Sequence, residues 1–86
     1  MNIVISYDLD SHHTAVKNLA CANGFSDQVM TTAGWKTLPN TTLIGDFPSA
    51  KDAADAFKRL AKTAAPYVKV EKVLACPMGV AWVTNE

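Results

Sequence analysis

Apolar and polar residues alternate from the first residues of the chain. In Asn2-Ile3-Val4-Ile5-Ser6-Tyr7-Asp8-Leu9 the β-branched and aromatic residues predict a strand. The two-residue period puts Ile3, Ile5, Tyr7 and Leu9 on one face and Val4, Ser6 and Asp8 on the other, half-polar face. The period then lengthens. Asp10-Ser11 offers a helix N-cap, and Ala15, Val16, Leu19 and Ala20 recur at helical spacing. Gly24 suits the residue just past a helix, with Phe25 placed to fold back on the last turn, so a helix is predicted over about 11–23.

Strand-like stretches follow at about 28–36 and 41–47, separated by the turn residues Thr37-Leu38-Pro39-Asn40, and together they read as a hairpin. Ser49 with Asp52 three residues on is a capping box that opens a second helix. Its apolar stripe is Ala53, Phe57, Leu60 and Ala64, widened by Ala54 and Ala61, with Asp55 and Arg59 at i,i+4 on the wet side and Pro66 as the stop. Residues 67–75 read as the last main strand, and Gly79-Val80-Ala81-Trp82-Val83 as a short tail strand.

The predicted order is β-α-β-β-α-β plus a tail. This is the split βαβ plan, a ferredoxin-like α+β sandwich over residues 1–86. Right-handed crossovers put both helices on one face of a four-stranded antiparallel sheet. The other face is then wet, covered by a partner, or used.

Composition narrows the setting. With 86 residues there is room for one domain, and 49% hydrophobic residues exclude disorder. A chain of this size buries only about 60–65% of its unfolded surface, so a second copy is an economical cover for apolar area. Net charge is zero, which argues against a polycation that grips nucleic acid by charge alone. Charge is nonetheless uneven, with six of the eight basic residues in 48–86. Cys21 and Cys76 fit no metal or redox spacing and read as reduced, small core residues. The start Met1-Asn2-Ile3-Val4 does not resemble a secretory leader, and no apolar run approaches the roughly 20 residues of a membrane span. The expected setting is cytoplasmic, with no membrane contact.

Asp8 is the residue best placed for chemistry, near the end of the first strand and on the face predicted to lack helices. Carboxylate oxygen suits a divalent cation such as Mg²⁺. One carboxylate is too few for a tight site. Two copies of Asp8 meeting across a dimer axis supply a pair, with Ser6 available to a coordinated water. The competing reading is that Asp8 or Asp10 caps the first helix. Adjacent His12 and His13 point about 100° apart on a helix and read mainly as an exposed helix start. Lys51, Lys58, Arg59 and Lys62 decorate the second helix and join Lys69 and Lys72 as candidate phosphate contacts, although Asp52 and Asp55 interrupt the patch. Trp35 and Trp82 read as core or interface residues, with stacking on bases as the alternative.

The opening Ile3-Val4-Ile5-Ser6-Tyr7-Asp8-Leu9, followed by a helix and the βαββαβ order, resembles the small CRISPR-associated nuclease-like proteins of the Cas-two type and their VapD-like relatives. The resemblance is specific over about seven residues. It implies a homodimer that binds RNA or DNA, or a metal-dependent endonuclease with Mg²⁺ or Mn²⁺ held by Asp8 as the catalytic residue. Lys58, Arg59 and Lys62 are then nucleic-acid contacts. The chain departs from the family in carrying one basic residue, Lys17, where the first helix usually shows arginines, and in its second strand, Gln28-Val29-Met30-Thr31-Thr32. The alternative is a non-catalytic regulatory or inhibitor module that presents its open sheet or edge strand to a protein partner.

Overall fold

The computed structural model describes residues 1–79. The elements are β1 (Asn2–Leu9), α1 (His13–Ala22), β2 (Phe25–Ser26), β3 (Gln28–Thr31), β4 (Gly34–Thr37), β5 (Thr42–Asp46), α2 (Ala50–Ala64) and β6 (Val70–Pro77). β2, β5, β1 and β6 form, in that order, a four-stranded antiparallel sheet, while β3 and β4 pair as a separate hairpin. No helix among the described residues is long and apolar enough to cross a membrane.

The alternation of β1 decides which face is covered. Ile3, Ile5, Tyr7 and Leu9 are buried together with Val16 and Ala20 of α1 and Ala53, Ala56, Phe57 and Ala61 of α2. Aromatic rings fill the middle of this core. Tyr7 and Phe57 lie 4.4 Å apart between ring centroids, and Phe25 meets Phe57 edge-on at 6.1 Å. Both helices therefore press on one face of the sheet. Ser49 caps α2, its hydroxyl accepting from the Asp52 N–H at 3.1 Å, and the helix ends at Ala64, two residues before Pro66. Gly24 adopts φ +101° just past α1, a conformation that favours glycine.

Several expectations are corrected. The stretch 28–36 is not one strand: Thr31 bonds Ala33 N–H and Gly34 O through its hydroxyl, Gly34 takes φ +104°, and the chain turns back as β3–β4. The two-residue β2 supplies the sheet edge instead. α1 starts at His13, with His12 at its N-cap in the left-handed region and no side-chain cap, so neither Asp8, Asp10 nor Ser11 caps it. The last strand begins at Val70, because 65–68 first make a turn closed by Val68 N–H on Ala65 O. Asp55 pairs with Lys51 at 2.7 Å and not with Arg59. Both cysteines are exposed: Cys21 lies off the buried Val16–Ala20 line of α1, and Cys76 stands across from Val4 on the helix-free face. The predicted strand around Val80–Val83, with Trp82, lies outside the described residues.

Candidate functional site at the Asp8 end of the sheet

Asp8 lies on the face that carries no helix. Tyr7 and Leu9, its neighbours on β1, are buried toward the helices, and pleating sends Asp8 the other way, where it is exposed. Register fixes its surroundings. Val4 lies between Ile44 of β5 and Cys76 of β6, Ser6 lies between Thr42 and Leu74, and Asp8 stands opposite Lys72. The ladder shifts between Asp8 and Leu9, as at a β-bulge, and such irregularities often end pairing or re-aim a side chain. Asp8 belongs to no ion pair within 4 Å among the described residues. Lys72 still offers it a cross-strand cation, an arrangement worth about 0.2–1 kcal/mol on an exposed sheet.

Asp10, two residues on, has a structural task. Its Oδ1 accepts from the Lys69 backbone N–H at 2.9 Å and from the Ser11 hydroxyl at 3.1 Å. Its own N–H donates to Lys69 O at 3.2 Å. This clamp ties the end of β1 to the segment that enters β6. The Lys69 N–H foremost, and then the Ser11 hydroxyl, hold the Asp10 carboxyl below the usual carboxylate range against a smaller opposing effect of desolvation. His12 places Nδ1 2.8 Å from the Ser11 hydroxyl, and both histidines are exposed.

The basic residues divide. Lys62 donates its ammonium to Val68 O and so reaches the same end of the sheet as Lys69 and Lys72. Lys58 and Arg59, about one turn earlier on α2, are exposed on the helix layer, across the sheet from Asp8. The expected set of Asp8 with Lys58, Arg59 and Lys62 is therefore not one cluster. Lys62 comes to the rim, and the cation opposite Asp8 in the ladder is Lys72 of β6. Parity along Val70–Pro77 puts Lys72, Leu74 and Cys76 on one face, which was readable. Their register against Asp8, Ser6 and Val4 was not, because it depends on long-range pairing.

The helix-free face also carries the apolar side chains of Val4, Ile44 and Leu74. Leu74 at 66% exposure occupies β6 beside Ser6. Toward β2, the β3–β4 hairpin leans on β5 and leaves a cleft of about 350 Å³ where Val29, Met30 and Trp35 face Ile44, Asn2 and Asp46. Met30 and Trp35 are cross-strand partners and remain 54% and 64% exposed, so Trp35 is not a core residue. Asp46 accepts from the Met1 ammonium at 2.7 Å. Among the described residues no three His, Cys, Asp or Glu side chains are grouped to hold a metal ion. One copy of Asp8 opposite a lysine therefore does not fit a resident divalent cation.

No protein-family model, no curated protein and no solved structure matches this chain.

Proposed function

We propose that the chain is a nucleic-acid-binding protein of Cas-two-like design, acting as a homodimer through its helix-free sheet face. The observation that carries this reading is the gathering of Lys62, Lys69 and Lys72 at the end of the sheet where Asp8 is exposed. Lysines at a strand end suit a phosphate backbone even with the Asp10 and Glu71 carboxylates beside them, and Asp8 on the helix-free face suits a site completed by a second copy. The strand order β2-β5-β1-β6 with both helices on one face supports a ferredoxin-like reading in which β3–β4 is an inserted hairpin. The proposal is for binding. Cleavage with Mg²⁺ or Mn²⁺ as an endonuclease requires two Asp8 carboxylates brought together.

The test is fluorescence anisotropy with single-stranded RNA and DNA over a salt series, run beside a cleavage assay with Mg²⁺, Mn²⁺ or EDTA. Three to five phosphate contacts give a slope of log affinity on log salt of about −2 to −3.5. Asp8→Ala is expected to keep the fold, since Asp8 is exposed. If cleavage occurs, the substitution abolishes it while binding persists. Absence of salt-dependent binding by the wild type sinks the reading.

A second reading, a protein-interaction module, is favoured by one feature. Among the described residues β6 is an edge of the sheet, eight residues long, with Leu74 exposed at its middle. Such an edge is a template for an added strand from a partner.

A further inference from the structure

On the helix side of the same end of the sheet lies a polar cavity of about 240 Å³. Its lining includes Tyr7, His13, Lys17, Asn18, Asn40 and Thr41. α1 supplies His13, Lys17 and Asn18 from one side, and the turn before β5 supplies Asn40 and Thr41 from the other. No carboxylate lines it, and α1 has no acidic residue in its first turn. Lys17 reaches Asp27 only at 3.7 Å, which leaves ammonium donors to spare.

Tyr7 provides the second observation. The residue is 3% exposed and its ring is packed on Phe57. Its hydroxyl has no hydrogen-bond partner among the described residues. Among the described residues no completely buried side-chain oxygen or nitrogen lacks a partner, so the Tyr7 hydroxyl is not wholly enclosed, and Tyr7 is one of the residues that line the cavity. A buried phenol is ordinarily paired. The backbone adds a third feature: the non-glycine residues with positive φ among those described are Thr41, in the wall, and His12, beside His13, both at 60°. A β-branched residue in that region is strained, and strain of this kind collects at ligand sites.

We propose that this cavity binds a phosphate group. Its donors are of the types that complement one: an ammonium, an imidazole N–H, two side-chain amides and a phenol, with no opposing acid in the wall. The source of that phosphate, resting on the function proposed above, is the terminal phosphate of a nucleic-acid strand. Tyr7 and Asp8 are consecutive on β1 and point to opposite faces, so a strand anchored here by its end reaches Asp8 and Lys72 only by passing over the end of the sheet.

The experiment uses the full chain and two probes. Inorganic phosphate is titrated while side-chain and backbone resonances of Tyr7, His13 and Lys17 are followed by NMR. Anisotropy then compares one short single strand carrying a 5′-phosphate, a 3′-phosphate or hydroxyls at both ends. Tyr7→Phe keeps the buried ring and removes only the hydroxyl; Lys17→Gln removes the charge. Phosphate-terminated strands are expected to bind about tenfold tighter than the hydroxyl-ended strand, and both variants to lose most of that gain, as for the loss of a charge-assisted hydrogen bond. Binding of the hydroxyl-ended strand stays unchanged in both. Phosphate-induced shifts at these residues without a preference among strands keep the phosphate site and give it to a small phosphate monoester. Hydroxyl-ended binding with neither shifts nor preference overturns the cavity inference and leaves the nucleic-acid reading standing. Shifts with no strand bound at all do the reverse.

Discussion

Truncating Leu74 is expected to break a dimer without unfolding the chain. Leu74 lies on the helix-free face of β6, across from Ser6, and is 66% exposed. Complete burial of a leucine side chain stabilises by about 1.5–3 kcal/mol, so the part still exposed has roughly 1–2 kcal/mol left to gain against a partner. A twofold interface uses the same residue from both copies, which doubles the figure to about 2–4 kcal/mol. Leu74→Ala should then raise the dimer dissociation constant by roughly 30- to 1000-fold. Its effect on folding of one copy should stay within about 0.5 kcal/mol, as for a surface position. Sedimentation equilibrium over a concentration series measures the first quantity and urea melts at low concentration the second. Tyr67→Ala is the control: Tyr67 is 94% exposed, but it lies in the connection between α2 and β6 and outside the face. A wild type that is monomeric at all concentrations, or a Leu74→Ala dimer as tight as the wild type, refutes the reasoning.

Three other outcomes test the fold beneath the site. Phe57→Ala removes a fully buried ring packed on Tyr7 and Phe25 and should cost about 3–5 kcal/mol in chemical denaturation; a loss below about 1 kcal/mol contradicts the core described. Gly45→Ala puts a Cβ into the Phe47 ring and 3.1 Å from Gly24 O, in the strand that joins β2 to the sheet, and should destabilise by about 1–3 kcal/mol, read as a lower melting temperature. Asp10 carries a lowered pKa through the Lys69 N–H, so its contribution to stability is present above the ordinary carboxylate pKa and is lost as pH falls through the lowered, folded-state value. Asp10→Asn should therefore be less stable than wild type at neutral pH, with the difference shrinking toward acid; a difference independent of pH contradicts the clamp.

Local patterns carried much of the fold. The alternation Ile3, Ile5, Tyr7, Leu9 identifies the buried face of β1, and Ser49 with Asp52 marks the start of α2, because each depends only on near neighbours in the chain. Local pattern is silent where a distant contact decides. β2 is two residues long, too short to show any period, and exists because β5 pairs with it. The run 28–36 has strand composition throughout, and Gly34 with φ +104° divides it. His12 at the α1 cap, and the place of Lys72 opposite Asp8, likewise depend on how β1 meets β6. For the site, Asp8 and its face were legible. Its lysine neighbours were not, and the cavity beside Tyr7 joins positions more than thirty residues apart.

The two candidate sites differ in what one copy can supply. The cavity at Tyr7, His13 and Lys17 draws all its donors from a single chain. Asp8 stands opposite a cation, Asp46 of the same face lies at the far end of the sheet beside Asn2, and no ligand set forms around Asp8 among the described residues. Phosphate recognition should therefore be independent of protein concentration, whereas any chemistry that needs two Asp8 carboxylates should appear only as the dimer forms. Because Leu74 and Asp8 share that face, Leu74→Ala should shift the onset of Asp8-dependent chemistry to higher concentration and leave the phosphate site as it was. This separates an effect on assembly from an effect on the carboxylate, which Asp8→Ala alone does not do.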